Sequence, residues 1–280
     1  LTQSGYEVKG APKTVSSLPA PFKCYGFPGE AVAHYPNIWF LPWLALSLET
    51  SFRQISYLGP LRQSPYRTYV WAGDSPTDVG PAGEDTIAAL LASRARPFNA
   101  SALERQVAKW LKKMGLIHSF SLRPIAENRR DYEVRVKITP ESAEVLLTDV
   151  GFGISQILPV LVLCYYVPEG STILLEQPEI HLHPSVQSHL ADVLVDVVKN
   201  RKVQIIVESH SEHLLHRLQR RIAEEVLGTE QVALYFCSME GTASHIEPLC
   251  LDDYGNITNW PKSGSRRTYR AATRHTGPSR

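Results

Sequence analysis

Short apolar runs alternate with helix-like stretches through the second half of the chain. The three runs and the three stretches occupy residues 172–175, 203–207 and 232–237, and residues 154–166, 184–199 and 212–227. Strands that are apolar on both faces and separated by helices predict a parallel sheet buried on both sides. The predicted fold class is therefore α/β, with a mostly parallel sheet and flanking helices.

The middle of the chain predicts an amphipathic helix whose start is a capping box. Ser101 and Glu104 have the S-x-x-E spacing in which each side chain caps the other residue's backbone. Apolar side chains recur on one face of this segment: Leu103, Val107, Trp110, Leu111 and Met114.

Antiparallel hairpins are predicted on either side of the alternating region. Apolar and mostly charged residues alternate over 132–138, and residues 140–143 can turn the chain into a second strand at 144–150. Residues 245–257 predict another hairpin, with its turn at or near 254–256. Residues 57–76 contain several turn formers and predict a loop.

Charge and cysteine usage narrow the functional classes. The net charge is +1, but the segment from Lys262 onward holds six basic and no acidic residues, which leaves the rest of the chain at −5. An acidic body does not favour tight nucleic-acid binding, and the basic tail is predicted to be disordered. No CxxC pair occurs, and Cys164 and Cys237 lie in apolar runs, which predicts buried free thiols of a cytoplasmic protein. The apolar stretches are too short to span a bilayer.

Polar residues follow two of the predicted strands. Glu176 ends the run STILLE at the edge where open α/β sheets bind ligands, and such an acid can hold Mg²⁺, directly or through water, beside phosphates. A helix-capping role is the alternative for Glu176. His210 follows the next run, VQIIVESH, where an imidazole can bond a terminal phosphate. Upstream, Gly151 and Gly153 precede Ser155 and Gln156 at a helix start, which favours anions.

In this order the motifs resemble a branch of the ATP-binding-cassette ATPases that is classed with the AAA family. This branch includes the SMC-like, OLD-like and Septu-type bacterial defence ATPases. The resemblance covers roughly residues 55–262, with VGFGISQ similar to the signature motif and ILLEQPEIHLHP similar to the Walker B strand and D-loop. IIVESHSEHLL is similar to the His switch, YLGPLR is typical of the group, and DDYGNITNWPK resembles a small C-terminal domain of unknown function.

The resemblance implies ATP and Mg²⁺ as cofactors and a head-to-tail dimer as the active form. Glu176 is then the Walker B acid that holds Mg²⁺ through water, and His210 senses the γ-phosphate. The residues Gly151, Gly153, Ser155, Gln156, His181 and His183 would reach the nucleotide. DNA or an effector nuclease is implied as a further partner, and anti-phage defence as the setting.

Three features depart from that family pattern. No G-x-x-x-x-G-K-[ST] segment occurs in the 280 residues, so we expect the phosphate loop upstream and this chain to be a C-terminal portion without measurable ATP binding. Gln177 stands where family members carry a water-activating glutamate, and Glu179 is the candidate replacement. After Lys262 the sequence turns basic instead of aromatic- and glycine-rich.

These features predict a division into five segments. Residues 1–50 are unassigned, residues 51–130 form a helical or inserted region, and residues 131–240 form the ATPase core. Residues 241–262 form a small C-terminal β element, followed by the basic tail at 263–280.

Two other functional classes fit parts of the sequence. Six histidines between His181 and His216 suggest a metal-dependent hydrolase, with His213 and His216 three apart on a helix. However, the local order is not H-E-x-x-H, because Glu212 precedes the first histidine. A catalytically incompetent ATPase-like scaffold for an effector nuclease is the other alternative.

Overall fold

The computed structural model describes residues 23, 25–27, 29, 33, 38–95, 101–127 and 129–261. The predicted basic tail at 263–280 and most of the unassigned start lie outside these residues. Seventeen regular elements occur in the described part, in this order: α1 (Leu41–Phe52), β1 (Ile55–Leu58), β2 (Tyr69–Val70), α2 (Thr86–Arg94), α3 (Ala102–Lys113), β3 (Ser119–Pro124), β4 (Asp131–Lys137), β5 (Val145–Leu146), a 3-10 turn (Leu147–Asp149), α4 (Phe152–Tyr166), β6 (Thr172–Glu176), α5 (Pro184–Arg201), β7 (Gln204–Glu208), α6 (Glu212–Ala223), a 3-10 turn (Thr229–Gln231), β8 (Leu234–Glu240) and β9 (Ala243–Leu249).

Three strands form the parallel sheet, in the order β1-β6-β7. The predicted α/β class with a parallel sheet and flanking helices is thus confirmed. The strand β1 was not predicted, and its end overlaps the predicted loop at 57–76. Its four residues, ISYL, are too few to show a clear hydrophobic period.

The parallel sheet is covered by helices on one face only, within the described residues. Leu58, Ile173 and Leu175 are at most 1% exposed and belong to the main core, whereas Ile55 and Ile206 on the other face are 43% and 55% exposed. The prediction that both faces of this sheet are buried was therefore wrong. Apolar strand residues show that a face can be buried, but a second layer must be present to bury it.

Helix α4 is the centre of the core. Twelve of its fifteen residues are buried, and α2 and α3 pack against it. A helix that is apolar all round is expected in such a position, because no face of it needs to meet water. Its internal Pro159 lies in the second turn, where Gly83 approaches closely enough that a Cβ there would touch the proline ring.

The capping box predicted for α3 does not form. Ser101 has φ +63°, a left-handed conformation, and its side chain makes no cap hydrogen bond. Glu104 instead accepts two hydrogen bonds from Arg94, at 2.8 and 2.6 Å, and one from the backbone N–H of Leu122 at 3.2 Å. This partly buried contact with Arg94 replaces the local cap, and it also connects α2, α3 and β3.

A second sheet is antiparallel and contains more strands than the sequence predicted. The hairpin between β4 and β5 is confirmed, but β5 has only two residues, and β2 and β3 also pair with β4. The strand β3 was not predicted. Its Phe120 and Leu122 face the core while the intervening residues do not, and it forms by pairing with β4.

The third sheet consists of β8 and β9, paired antiparallel over seven residues each. The run at 232–237 thus belongs to a hairpin and not to the parallel sheet, and Cys237 is exposed, whereas Cys164 is buried as predicted. The turn at 254–256 is confirmed: Gly255 has φ +76°, and Leu251 bridges Ile257. The hairpin predicted there is reduced to this one bridge, because β9 pairs with β8.

Candidate functional site

Carboxylates end two neighbouring parallel strands on the same edge of the sheet. Glu176 is the last residue of β6 and Glu208 the last of β7, and the two are direct partners in the strand register. Glu176 is half-buried, and the Glu208 side chain is 55% exposed. Two acids side by side repel each other, so this edge favours a bound cation.

Tyr57 reaches the same carboxylate from the third strand. Burial of the Tyr57 hydroxyl, and after it the interaction with the Glu176 carboxylate, raise the pKa of Tyr57. The sequence analysis assigned no role to Tyr57. The alternating burial of β1 would have placed its side chain on the same face as Glu176, had the strand been predicted.

Gln177 turns away from β6 and connects its end to β7. Its backbone N–H donates to the Glu208 carbonyl at 2.9 Å, and its side-chain amide donates to Glu208 Oε1 at 3.3 Å. The residue has φ +42°, which is unusual for a residue with a side chain and is typical of strained functional loops. Gln177 therefore lies beside the carboxylate pair.

Glu179 is buried, whereas a residue that activates water needs access to it. Glu179 is only 7% exposed. Its Oε1 accepts a hydrogen bond from the backbone N–H of His210 at 2.7 Å. The other oxygen, Oε2, has no hydrogen-bond partner among the described residues. Nearby, Arg62 is 8% exposed, and its Nε and Nη2 likewise lack partners there.

The His210 imidazole points outward at the same edge. Its side chain is 79% exposed, and Nε2 lies 3.5 Å from Glu208 Oε1. The structure thus brings Glu176, Gln177, Glu208 and His210 together, with Glu208 linking the other residues. The sequence analysis placed Glu208 beside His210 without giving it a role.

The glycine loop begins helix α4 and meets the segment after β6. Gly151 is the N-cap of α4, the Phe152 ring contacts the His181 ring at 5.3 Å, and a Cβ on Gly153 would lie 3.8 Å from the His181 carbonyl. Ser155 donates to the Phe152 carbonyl at 2.7 Å and is 7% exposed. Gln156 is 3% exposed, with its side-chain nitrogen unpaired among the described residues.

The other histidines that the structure describes do not group into a metal site. His183 Nδ1 accepts the Ser185 N–H at 3.3 Å and so caps α5, and His181 is exposed with φ +61°. His213 and His216 lie on α6. Across the parts of the chain that the structure describes, no group of three or more His, Cys, Asp or Glu is placed to hold a metal ion. No helix in those parts is long and apolar enough to cross a membrane.

Two family models match the chain. Residues 85–215, slightly less than half of it, match the AAA ATPase domain, and residues 227–263 match a protein of unknown function, DUF3696. The first segment contains the glycine loop, Glu176 and His210; the second contains β8, β9 and the turn after them. The matches support an ATPase domain of the AAA type followed by a small C-terminal segment. No curated protein sequence matches this chain.

Solved structures of SMC ATPases are similar to parts of the chain. One comes from a study of the ATP-driven dimerization and DNA-stimulated activation of SMC ATPases. It is 18% identical over 54% of this chain and 85% of the other, with a TM-score of 0.41. A Pyrococcus furiosus Smc head bound to the C-terminal domain of ScpA is 14% identical over 54% and 35%, with a TM-score of 0.41. The Thermotoga maritima SMC head domain is 14% identical over 59% and 52%, with a TM-score of 0.36. This chain spans about a third of the length of the Pyrococcus furiosus structure and about half of the Thermotoga maritima structure. Similarities this distant do not bear on function.

Proposed function

We propose that this chain supplies the hydrolytic part of an ATPase of the ABC/SMC class, with Mg²⁺ held at Glu176. The observation that carries the proposal is the pairing of Glu176 and Glu208 at the carboxyl edge of the parallel sheet, where Tyr57 and Gln177 add further oxygen atoms. Oxygen ligands at this edge suit Mg²⁺, which would neutralise charge on the nucleotide's phosphates when bound.

Each neighbour of Glu176 has a proposed task. His210 is exposed and free to turn toward a terminal phosphate, and Gln177 orients water but cannot accept its proton. The subtype, whether OLD-like or Septu-type, is part of the same proposal and rests on the motifs ILLEQPEIHLHP and IIVESHSEHLL.

The glycine loop is proposed to face the nucleotide of a second copy in a head-to-tail dimer. Gly151, Phe152 and His181 are exposed on one surface, so a partner subunit can reach them. Ser155 and Gln156 are buried, and their backbone N–H groups lie within the helix hydrogen-bond pattern, so the groups offered here are the N–H groups of Phe152 and Gly153 and the positive end of α4.

Magnesium-dependent turnover by the full-length protein tests the assignment. Glu176→Gln is expected to lower the ATP hydrolysis rate at least 100-fold, since it removes the charge that holds the metal. Glu104→Gln, which alters an ion pair far from this edge, serves as the matched control. Unchanged turnover in Glu176→Gln would overturn the assignment.

Calorimetry on the 280-residue chain separates an ATPase portion from a self-sufficient enzyme. Because no Gly-Lys-Ser/Thr loop occurs among its residues, we expect no measurable heat of ATP binding. Tight binding would show that other residues hold the phosphates. If the full-length protein also fails to bind ATP, the scaffold function for an effector nuclease takes its place.

Nucleic acid is a second candidate ligand, favoured by the outer face of α3. Four cations are exposed there within nine residues, and Glu104, the one acid of this helix, is occupied by Arg94; the cations are Arg105, Lys109, Lys112 and Lys113. The double variant Lys109→Glu/Lys112→Glu should reduce the salt slope of duplex DNA binding by about two, measured by fluorescence anisotropy. Lys202→Glu, an exposed cation elsewhere, should leave it unchanged, and equal effects would exclude this surface.

A further inference from the structure

Two buried groups of opposite charge lie near each other at the carboxyl edge of the parallel sheet without touching. Arg62 follows β1, and its Nη1 donates to the Pro60 carbonyl at 2.9 Å, which leaves Nε and Nη2 without partners among the described residues. Glu179 follows β6 and has one unpaired oxygen there. Unpaired charged atoms at 8% and 7% residue exposure are costly, so a structure retains them for a reason.

The contact that Glu179 does make is with the loop after the third strand. Its Oε1 accepts the His210 N–H at 2.7 Å, a short distance typical of a hydrogen bond to an ionised acceptor. Glu179 also anchors its own loop, since its carbonyl accepts the Leu182 N–H at 3.1 Å. The carboxylate therefore fixes the backbone from which the His210 side chain projects.

Electrostatics link Arg62 to this contact. Burial lowers the pKa of Arg62, and the negative charge of Glu179 opposes that effect. The negative charge of Glu179 thus partly offsets the cost of burying the Arg62 guanidinium. Removing either one leaves the other as an isolated buried charge, which is the unfavourable arrangement for both.

We propose that Glu179 is a positioning residue that holds the His210 backbone in place, and that Arg62 supplies its compensating charge. The three loops that follow β1, β6 and β7 are then connected through one buried carboxylate. The proposal rests on the proposed function for the importance of His210, but the contact itself can be measured without nucleotide.

This role differs from that of a water-activating base. A base must meet its water, and one oxygen of Glu179 is already engaged with a backbone N–H while the residue is 93% shielded. The carboxylates with solvent access at this edge are Glu176 and Glu208 instead. Glu179 acts on catalysis through the place of His210, not on the substrate.

The experiment follows the backbone amide of His210 in the 280-residue chain labelled with ¹⁵N-histidine. In Glu179→Ala the amide proton should shift upfield, and its hydrogen exchange should accelerate at least tenfold, because the charged acceptor is lost. Glu179→Gln keeps an acceptor of the same size, so it should restore most of the protection. Arg62→Met should also accelerate exchange, and Arg62→Lys should do so less.

Glu104→Ala is the matched control. Glu104 also accepts a backbone N–H and pairs with an arginine, but it lies between α3 and β3. The Glu104→Ala variant should leave the chemical shift of the His210 amide unchanged, although it destabilises the fold. An unchanged His210 amide in Glu179→Ala, or an equal change in Glu104→Ala, would overturn the proposal. If Glu179→Ala does not fold, the Arg62→Met and Arg62→Lys pair decides: no difference from the original chain refutes it.

Turnover by the full-length protein separates positioning from general stabilisation. Glu179→Ala should lower kcat at least tenfold with KM for ATP changed less than threefold, while Glu104→Ala changes neither. A raised KM with unchanged kcat contradicts the positioning role. If no variant or parent hydrolyses ATP, the proposed function fails while the His210 amide data still decide the contact.

Discussion

The interface between α5 and α6 and the carboxyl edge of the parallel sheet treat acidic side chains in opposite ways. In the interface, Asp192 is 4% exposed and both its oxygens are bonded, by Arg217 at 3.0 and 2.8 Å and by Arg221 at 2.7 Å. At the edge, Glu176 and Glu208 are strand partners, and no Lys or Arg among the described residues forms an ion pair with either of them. The difference shows that charges are neutralised where helices pack and left available where a ligand is proposed to bind.

The backbone at the edge supports the same contrast. Gln177 and His181 have φ values of +42° and +61°, whereas Asp192 lies within the regular helix α5. Strained residues cost on the order of 1–3 kcal/mol each and persist where the surrounding structure requires them. The ion pairs of the α5–α6 interface therefore stabilise the fold, whereas the backbone conformations at the edge destabilise it.

The largest effect is expected from Asp192→Ala, which breaks the ion pairs of the interface. Two partly buried arginines would lose this carboxylate, and the free energy of unfolding should fall by about 3 kcal/mol, measured by urea denaturation. Glu224→Gln is the control, since Glu224 also contacts Arg221 but is 34% exposed; its cost should be much smaller than that of Asp192→Ala. Similar costs for the two variants would erase the contrast between paired and available acids.

Lowering the pH should weaken the same ion pairs. Burial alone would raise the pKa of Asp192, but the hydrogen bonds and charges of Arg217 and Arg221 lower it to about 2 from an ordinary value of 3.8. Its stabilising effect is therefore complete above pH 3.8 and is lost as the pH falls through about 2. The difference in unfolding free energy between the original chain and Asp192→Asn should shrink over this window.

A smaller loss is expected from Tyr165→Phe, in a second fully paired site of the helical side. The Tyr165 hydroxyl accepts from Trp110 Nε1 and donates to Asp196, both at 2.6 Å. Its loss leaves the largely buried Trp110 N–H without an acceptor and Asp196 Oδ2 without its donor, which should cost about 1–3 kcal/mol in urea unfolding. Tyr235→Phe, at a side chain 63% exposed, should cost almost nothing, and equal costs would contradict the buried network.

The smallest effect has the opposite sign. Glu208→Gln removes the repulsion from Glu176 and keeps an oxygen for the Gln177 amide, so it should stabilise the chain by about 0.2–1 kcal/mol in the absence of Mg²⁺. The gain should shrink at high salt, which screens exposed charges. A loss of stability would mean that the edge is already neutralised, and the two regions would then not differ.

The candidate site was largely predictable, because its residues follow strands whose apolar runs are visible in the sequence. Glu176, Gln177 and His210 meet at one edge as expected for neighbouring parallel strands. Tyr57 was missed because four residues of β1 carry too little pattern. The capping box at Ser101 failed because Arg94, from another helix, binds Glu104 more favourably than the local backbone does.

The sequence by itself determined the alternation of strands and helices, the helix α4 that is apolar all round, and the polar ends of β6 and β7. These follow from local periodicity, which each segment carries alone. The tertiary structure alone decided the exposed sheet face, the hairpin of β8 and β9, and the contact of Glu179 with His210 near Arg62. Such contacts join loops far apart in the chain, and their energies depend on which groups share a buried space.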